Sequence, residues 1–319
     1  NRLFASTRVT LATMPCFLGF LPSLGGARFS APIVAAASAK MPIKPESKAA
    51  INFWFRHIFE VASPTIPGMI LATAICGIHL SDLVLHLLWF SGLCFLFGWL
   101  VLMRPLKKFD HISKETLSNE ERRKNIFDVV LALSPVIANL VLMIAFNLSA
   151  SIAMGLVTVA MIPLLRAVGR HADPIEIFKG ALDWKLLLNV CCILFFIGLL
   201  TNTGVLAQIV SSMQSAPLPT PVIFAALSFL IGALTGMSQG YVPIVMPIAA
   251  SLASGSLEYA GLGLVFGMTG QMVTPVHLCF TISVDYFKAS FLSTLKYVVE
   301  ILIPIVTIFS IYTYFTWPY

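Results

Sequence analysis

Charge is what this chain has least of. Lys, Arg, Asp and Glu make up 11% of its 319 residues, against about a quarter in an ordinary soluble domain. A water-soluble globular fold is excluded on that ground. Between Lys185 and Glu258 no residue is formally charged, a run of 72 positions. Two motifs of soluble enzymes are missing too: no Gly-x-x-x-x-Gly-Lys and no His-Glu-x-x-His. No polar stretch is long enough to be the nucleotide domain of an ATP-driven pump, and enzymatic activity is not expected. The short alternating segments of a β-barrel are also absent. The six cysteines (Cys16, Cys76, Cys94, Cys191, Cys192, Cys279) lack metal-site spacing. They read as small core residues, with no disulfide framework and no zinc site.

What is present is apolar length. Hydrophobic residues make up 58% of the chain and the mean hydropathy is +0.91. Apolar stretches of 18–25 residues match a hydrocarbon core about 30 Å thick, so the expected class is an all-α polytopic membrane protein, its environment the lipid bilayer. Of the 20 Lys and Arg, 15 fall in 38–56, 104–124 and 166–185. Basic residues crowd cytoplasmic loops, so the net charge of +6 is a topology signal and nucleic acid is not an expected partner. The chain begins at Asn1 and is already apolar by Val9. A signal peptide cut near Ala35-Ala36-Ala37-Ser38-Ala39 is one reading. Pro15, Pro22, Gly25, Gly26 and Arg28 interrupt it and favour an N-terminally truncated chain.

About eight spanning segments and one re-entrant hairpin are expected. Residues 1–103 form the C-terminal part of a first repeat: a broken helix at 9–37, an amphipathic surface helix at 48–57, and spans at 58–78 and 83–103. Residues 104–125, with seven basic and four acidic residues, form a cytoplasmic loop in which Ser118 and Glu121 fit a capping box. Residues 126–319 form a second repeat. Its spans lie at 127–147, 150–168, 186–203 and 294–316, with a hairpin at 221–254 and a broken helix at 259–286. The hairpin halves, about 14 residues each, are short for a span and flank the polar tip Thr235-Gly236-Met237-Ser238-Gln239-Gly240. Gly267, Gly270 and Pro275 are expected to unwind the later broken helix.

The repeat rests on recurrence. Gly25-Gly26 before Ser30-Ala31-Pro32 matches Gly267 and Gly270 before Val273-Thr274-Pro275, and Arg56, Glu60 and Pro64 match Lys296, Glu300 and Pro304 at a shift of 240. Duplicated halves with discontinuous helices are a hallmark of secondary transporters. Counting spans leaves open whether the repeats are inverted or parallel.

Candidate site residues gather at the breaks. Arg28 is expensive inside a membrane unless paired or hydrated and would bind an anionic group. Gly25, Gly26, Ser30, Thr269, Gly270, Gln271 and Thr274 would supply carbonyls and hydroxyls to the substrate or to a sodium ion, the candidate cofactor. Thr274, His277, Thr281 and Asp285 follow at helical spacing, so His277 would face the substrate and, with Asp285, relay protons. The alternatives are a helix kink, and interhelical hydrogen bonding without a transport role.

At Leu21-Pro22-Ser23-Leu24-Gly25-Gly26-Ala27-Arg28-Phe29-Ser30-Ala31-Pro32 and Thr274-Pro275-Val276-His277-Leu278-Cys279, the chain resembles the domain of unknown function 401 family of integral membrane proteins. That family is placed in the ion-transporter superfamily with gluconate permeases, citrate and dicarboxylate carriers and arsenite carriers. The resemblance covers essentially the whole chain. It implies a re-entrant hairpin and a broken helix in each half, 221–254 being the second hairpin, and helices upstream of Asn1. The superfamily's Ser-Asn-Thr signature is absent. The expected function is secondary active transport of a small organic anion, coupled to sodium or protons, in the prokaryotic inner membrane, with a homodimer as the candidate assembly. The competing reading is a membrane scaffold or an intramembrane enzyme using His277 and Asp285.

Overall fold

In a computed structural model, the described residues are 6–19, 26–109, 118–146, 148–170, 173–181 and 184–316. They are mostly helical, and none is in a strand. The first broken segment is a pair of helices, α1 (Thr7–Gly19) and α2 (Ala27–Ala37). Gly25 and Leu21–Leu24 lie outside the described residues. α3 (Pro45–His57) follows, then turns through residues 58–66, then α4 (Pro67–Cys76). No span runs through 58–78. Pro64 and Pro67 lack amide hydrogens and push the residues before them out of helical backbone, so α4 starts at Pro67, where that loss is harmless. Its ten residues reach about 15 Å, half a bilayer core.

α3 is the largest departure from expectation. The surface helix at 48–57 is instead a central one, walled by α1, α2, α14 (Leu278–Phe287) and α15 (Phe291–Thr316). Every residue from Ala49 to His57 is buried. Phe53, Trp54 and Phe55 stand about 100° apart around the helix, so no single face can hold all three and burying them takes neighbours on several sides. Trp54 Nε1–H donates to the Cys94 carbonyl (2.9 Å), tying α3 to α5 (Leu80–Gly98).

α5 continues through a π turn and a 3-10 turn to Phe109. α6 (Asn119–Ala145) starts at the expected capping box: Glu121 N–H donates to Ser118 Oγ, and Ser118 N–H to Glu121 Oε2, both 3.1 Å. It pairs with α7 (Ala150–Ala167). After α8 (Pro174–Ala181), α9 (Trp184–Asn202) bends by 65° into α10 (Val205–Gln214). Among the described residues, three helical stretches are long and apolar enough to cross a membrane: Leu80–Phe109, Asn119–Ala145 and Phe291–Thr316. The bent pair within α9–α10 makes a fourth if it is one span. That is fewer than eight, because prolines and breaks cut the other apolar stretches into shorter helices. Large apolar side chains on α6, α7 and α9 point outward, among them Val130, Val159 and Phe195, as suits embedding in lipid.

The expected hairpin consists of α11 (Thr220–Thr235) and α12 (Ser238–Leu252), about 24 and 22 Å long. They are joined at Gly236, whose φ of 66° is open to glycine at no steric cost. α13 (Leu257–Met272) and α14 form the second broken segment. Gly267 and Gly270 do not unwind it. Both sit inside α13, where they let neighbours approach: a Cβ on Gly270 would meet the Phe229 carbonyl oxygen, one on Gly232 the Gly267 carbonyl oxygen, and one on Gly267 the Tyr241 ring. The break falls later, at residues 273–277, where Pro275 denies Thr274 a helical backbone.

Candidate functional site

Four parts of the chain meet around the buried C-terminal turn of α3. From α2, the Ala27 carbonyl accepts from Asn52 Nδ2 (3.2 Å), and the same nitrogen donates to Ser283 Oγ on α14 (2.9 Å). Ser283 Oγ donates onward to the Cys279 carbonyl (2.8 Å). One side chain of α3 thus clamps the helices that follow the two breaks. Arg56 donates from Nη1 to the Leu18 carbonyl (2.8 Å) at the end of α1, where a cation offsets the negative helix terminus. Its guanidinium is also a hydrogen-bonding neighbour of Cys279.

His57 and His277 face each other, one ending α3 and the other preceding α14. Their Nε2 atoms are 3.2 Å apart. His57 Nδ1–H donates to the Phe53 carbonyl (2.7 Å) and His277 Nδ1–H to the Gln271 carbonyl (3.0 Å). Gln271 Nε2 in turn donates to Glu60 Oε1 (3.3 Å). The Phe53 ring lies 4.8 Å from that of His57 and 5.0 Å from that of His277, and Phe280 packs behind it. The hairpin tip closes the arrangement. A Cβ on Gly236 would lie 2.8 Å from the Val276 carbonyl carbon and 2.9 Å from the His277 nitrogen. Ser238, the first residue of α12, is packed against Gly68 of α4.

Among the described residues, two carboxamide oxygens here have no hydrogen-bond partner: Asn52 Oδ1 and Gln271 Oε1, on residues 0% and 1% exposed. Neither amide can be turned to relieve this. Turning either would set its oxygen against another oxygen, Ala27 O at 3.2 Å or Glu60 Oε1 at 3.3 Å. A buried acceptor without a donor costs about 1–3 kcal/mol, so both oxygens are free to receive a donor or a cation.

The expected residues divide. Gln271 and His277 belong to the cluster. Ser30, fully buried, bonds back to Ala27 O (3.4 Å), and Gly26 is buried just before α2. Thr274 is buried in the break, its Oγ1 accepting from Val276 N–H (3.3 Å). Thr269 bonds to the Val265 carbonyl of its own helix (2.8 Å) and Gly270 packs on α11. Thr269 also lines an apolar groove of about 1200 Å³ between α11, α13 and α15, whose lining includes none of the cluster residues. Arg28 is exposed beside Phe29, and Asp285 is exposed. His277 and Asp285 are not brought together as a relay. His277 has extended backbone (φ −70°, ψ 107°), so it is out of helical register with Thr281 and Asp285. Asn52, Arg56, His57, Glu60, Cys279 and Ser283 were not foreseen as site residues. The one available signal was that Asn52 and His57 flank a run of aromatics too wide for a single helix face.

A family model described as protein of unknown function (DUF401) matches residues 3–315. The chain belongs to that family. No curated protein matches it.

Proposed function

We propose that the protein is a secondary active transporter of a small organic anion of carboxylate type, coupled to sodium or protons and working by alternating access. One convergence supports this reading. The hairpin tip, the second break and the C-terminal turn of α3 meet at the His57–His277 pair, and Asn52 on the same helix joins the α2 side of the first break. Irregular backbone at membrane depth survives only where protein buries it or a cavity receives it, and discontinuous helices beside a hairpin are a recurrent way to build a solute site.

In this reading α1–α2 and α13–α14 are broken spans, α11–α12 is a re-entrant hairpin, and the crossings number about eight. The two broken pairs, each followed by a helix, are then the corresponding parts of two repeats. The resemblance to the ion-transporter superfamily and placement in a prokaryotic inner membrane belong to the same proposal. The anion contact moves from Arg28 to Arg56, the buried arginine beside Cys279, with Asn52 and Gln271 as neighbouring polar groups. Sodium, where it is the coupling ion, has their free carbonyl oxygens as natural ligands.

The test is uptake by proteoliposomes carrying the full-length protein. Labelled mono-, di- and tricarboxylates should accumulate when an inward sodium or proton gradient is imposed and should equilibrate slowly without one. Gradient-independent signals equal to those of empty liposomes, for every anion in the panel, would overturn the proposal.

A further inference from the structure

The contact between His57 and His277 is chemically incomplete. A carbonyl oxygen can only accept, so each Nδ1 that faces one carries the ring's hydrogen. The two neutral rings therefore point lone pairs at each other across 3.2 Å. Nothing in that contact donates, and both rings are buried, so water does not screen the repulsion. A proton or a metal ion between the two nitrogens resolves it, and a third ligand favours the metal.

A third donor stands beside them. His57, His277 and Cys279 each place one ligand atom within 4.8 Å of the others, and all three residues are buried. We propose that these residues form a metal site for Zn²⁺ or a similar borderline-soft divalent ion, joining α3 to the start of α14. The nitrogen separation fits: two imidazoles bound tetrahedrally at 2.0–2.1 Å place their nitrogens about 3.3–3.4 Å apart. The sulfur must close by about 1 Å to reach a Zn–S distance near 2.3 Å.

The surroundings match what such sites need. A metal-bound imidazole usually donates its other N–H to a carbonyl or carboxylate, which fixes tautomer and ring plane, and both rings do so here. Cys279 binds as thiolate, its proton leaving to solvent as the metal enters. Arg56, its hydrogen-bonding neighbour, favours that charge. Glu60 adds a negative charge on the other side, one hydrogen bond beyond Gln271, whose own carbonyl holds His277. Phe53 and Phe280 form an apolar wall. Imidazole and thiolate donors select zinc-class ions over sodium, magnesium or calcium, which take oxygen. Three protein ligands leave a fourth position for water or a solute oxygen. The expectation of no zinc site rested on spacing, which cannot reveal ligands 220 residues apart.

The full-length protein, stripped with chelator and titrated with Zn²⁺, should bind one equivalent. Co²⁺ should give visible ligand-field bands of a four-coordinate site and a near-ultraviolet sulfur-to-metal charge-transfer band. Cys279→Ser should abolish the charge-transfer band while keeping ligand-field absorption, and Cys191→Ser should change neither. His277→Gln and His57→Gln should each weaken Zn²⁺ binding by more than about tenfold, the lower end for loss of even an outer-sphere partner. Substoichiometric Zn²⁺, or a charge-transfer band that persists in Cys279→Ser, would overturn the site. If a histidine variant does not fold, the near-isosteric Cys279→Ser still decides. The outcome is independent of whether any anion is transported.

Discussion

Gly270→Ala and Gly232→Ala should each lower the protein's melting temperature by roughly 4–5 °C, the equivalent of about 3 kcal/mol in a chain of this size. The expectation follows from how α11 and α13 touch. At Gly232 the nearest atom to an added methyl is the Gly267 carbonyl oxygen, and at Gly270 it is that of Phe229. Backbone cannot rotate out of the way as a side chain would, so the helices must separate, and overpacking of this kind costs about 1–3 kcal/mol or more. Small residues that let helices approach are the main route to helix association in lipid, where no hydrophobic effect pulls them together. The two substitutions share one interface, so their effects should fall short of additive. Gly155→Ala and Gly198→Ala are the controls: their added methyls meet nothing within 4 Å, and the better helix former should leave stability unchanged or raise it by up to about 1 kcal/mol. Thermal unfolding in one detergent, followed by loss of monodisperse protein, measures all four. Equal losses at the contact and control glycines would contradict the packing.

The second large effect separates two arginines. Arg56→Gln should cut gradient-driven anion uptake by tenfold or more, the result of losing about 2 kcal/mol from a desolvated charge contact. Arg28→Gln should leave uptake within about twofold of the parent. Arg56 lies buried between the end of α1 and Cys279, and its charge is little screened there. Arg28 is exposed on the outer side of α2, where a long basic side chain reaches polar surroundings at little cost. Initial rates are to be normalised to folded protein, because removing Arg56 also strips the Leu18 carbonyl of its partner. Arg56→Lys keeps the charge and loses the planar fork, and should fall between parent and Gln. The reverse order, with Arg28 essential and Arg56 dispensable, would return the anion contact to the first break.

The breaks were legible because proline and glycine act locally. Pro275 and the short halves flanking Gly236 gave both the later broken helix and the hairpin, and Ser118 with Glu121 marked the start of α6. The site was less legible, because its members come from four places in the chain and meet only on packing. Lys48, Arg56 and His57 beside the aromatics give residues 48–57 the composition of an interfacial helix. The burial of Asn52, Arg56 and His57 is settled by α1, α2, α14 and α15 around them, and no property of residues 45–57 encodes that enclosure except the three consecutive aromatics. Arg28 is costly only in a helix at mid-membrane, whereas its exposure depends on which way α2 turns. His277 and Asp285 looked like one stripe because helical spacing was counted from a residue that precedes its helix.

The central claim is that the two breaks enclose a solute site reached alternately from each side. It is tested most directly by single cysteines at Ser30 and Thr274, both buried, in full-length protein whose native cysteines are replaced. Membrane-impermeant thiol reagent is applied from one face of the vesicle at a time. The account predicts slow labelling of both positions from either face, a shift between faces when the ion gradient is reversed, and protection by a transported anion. Labelling of neither position from either face, under any gradient, would contradict it.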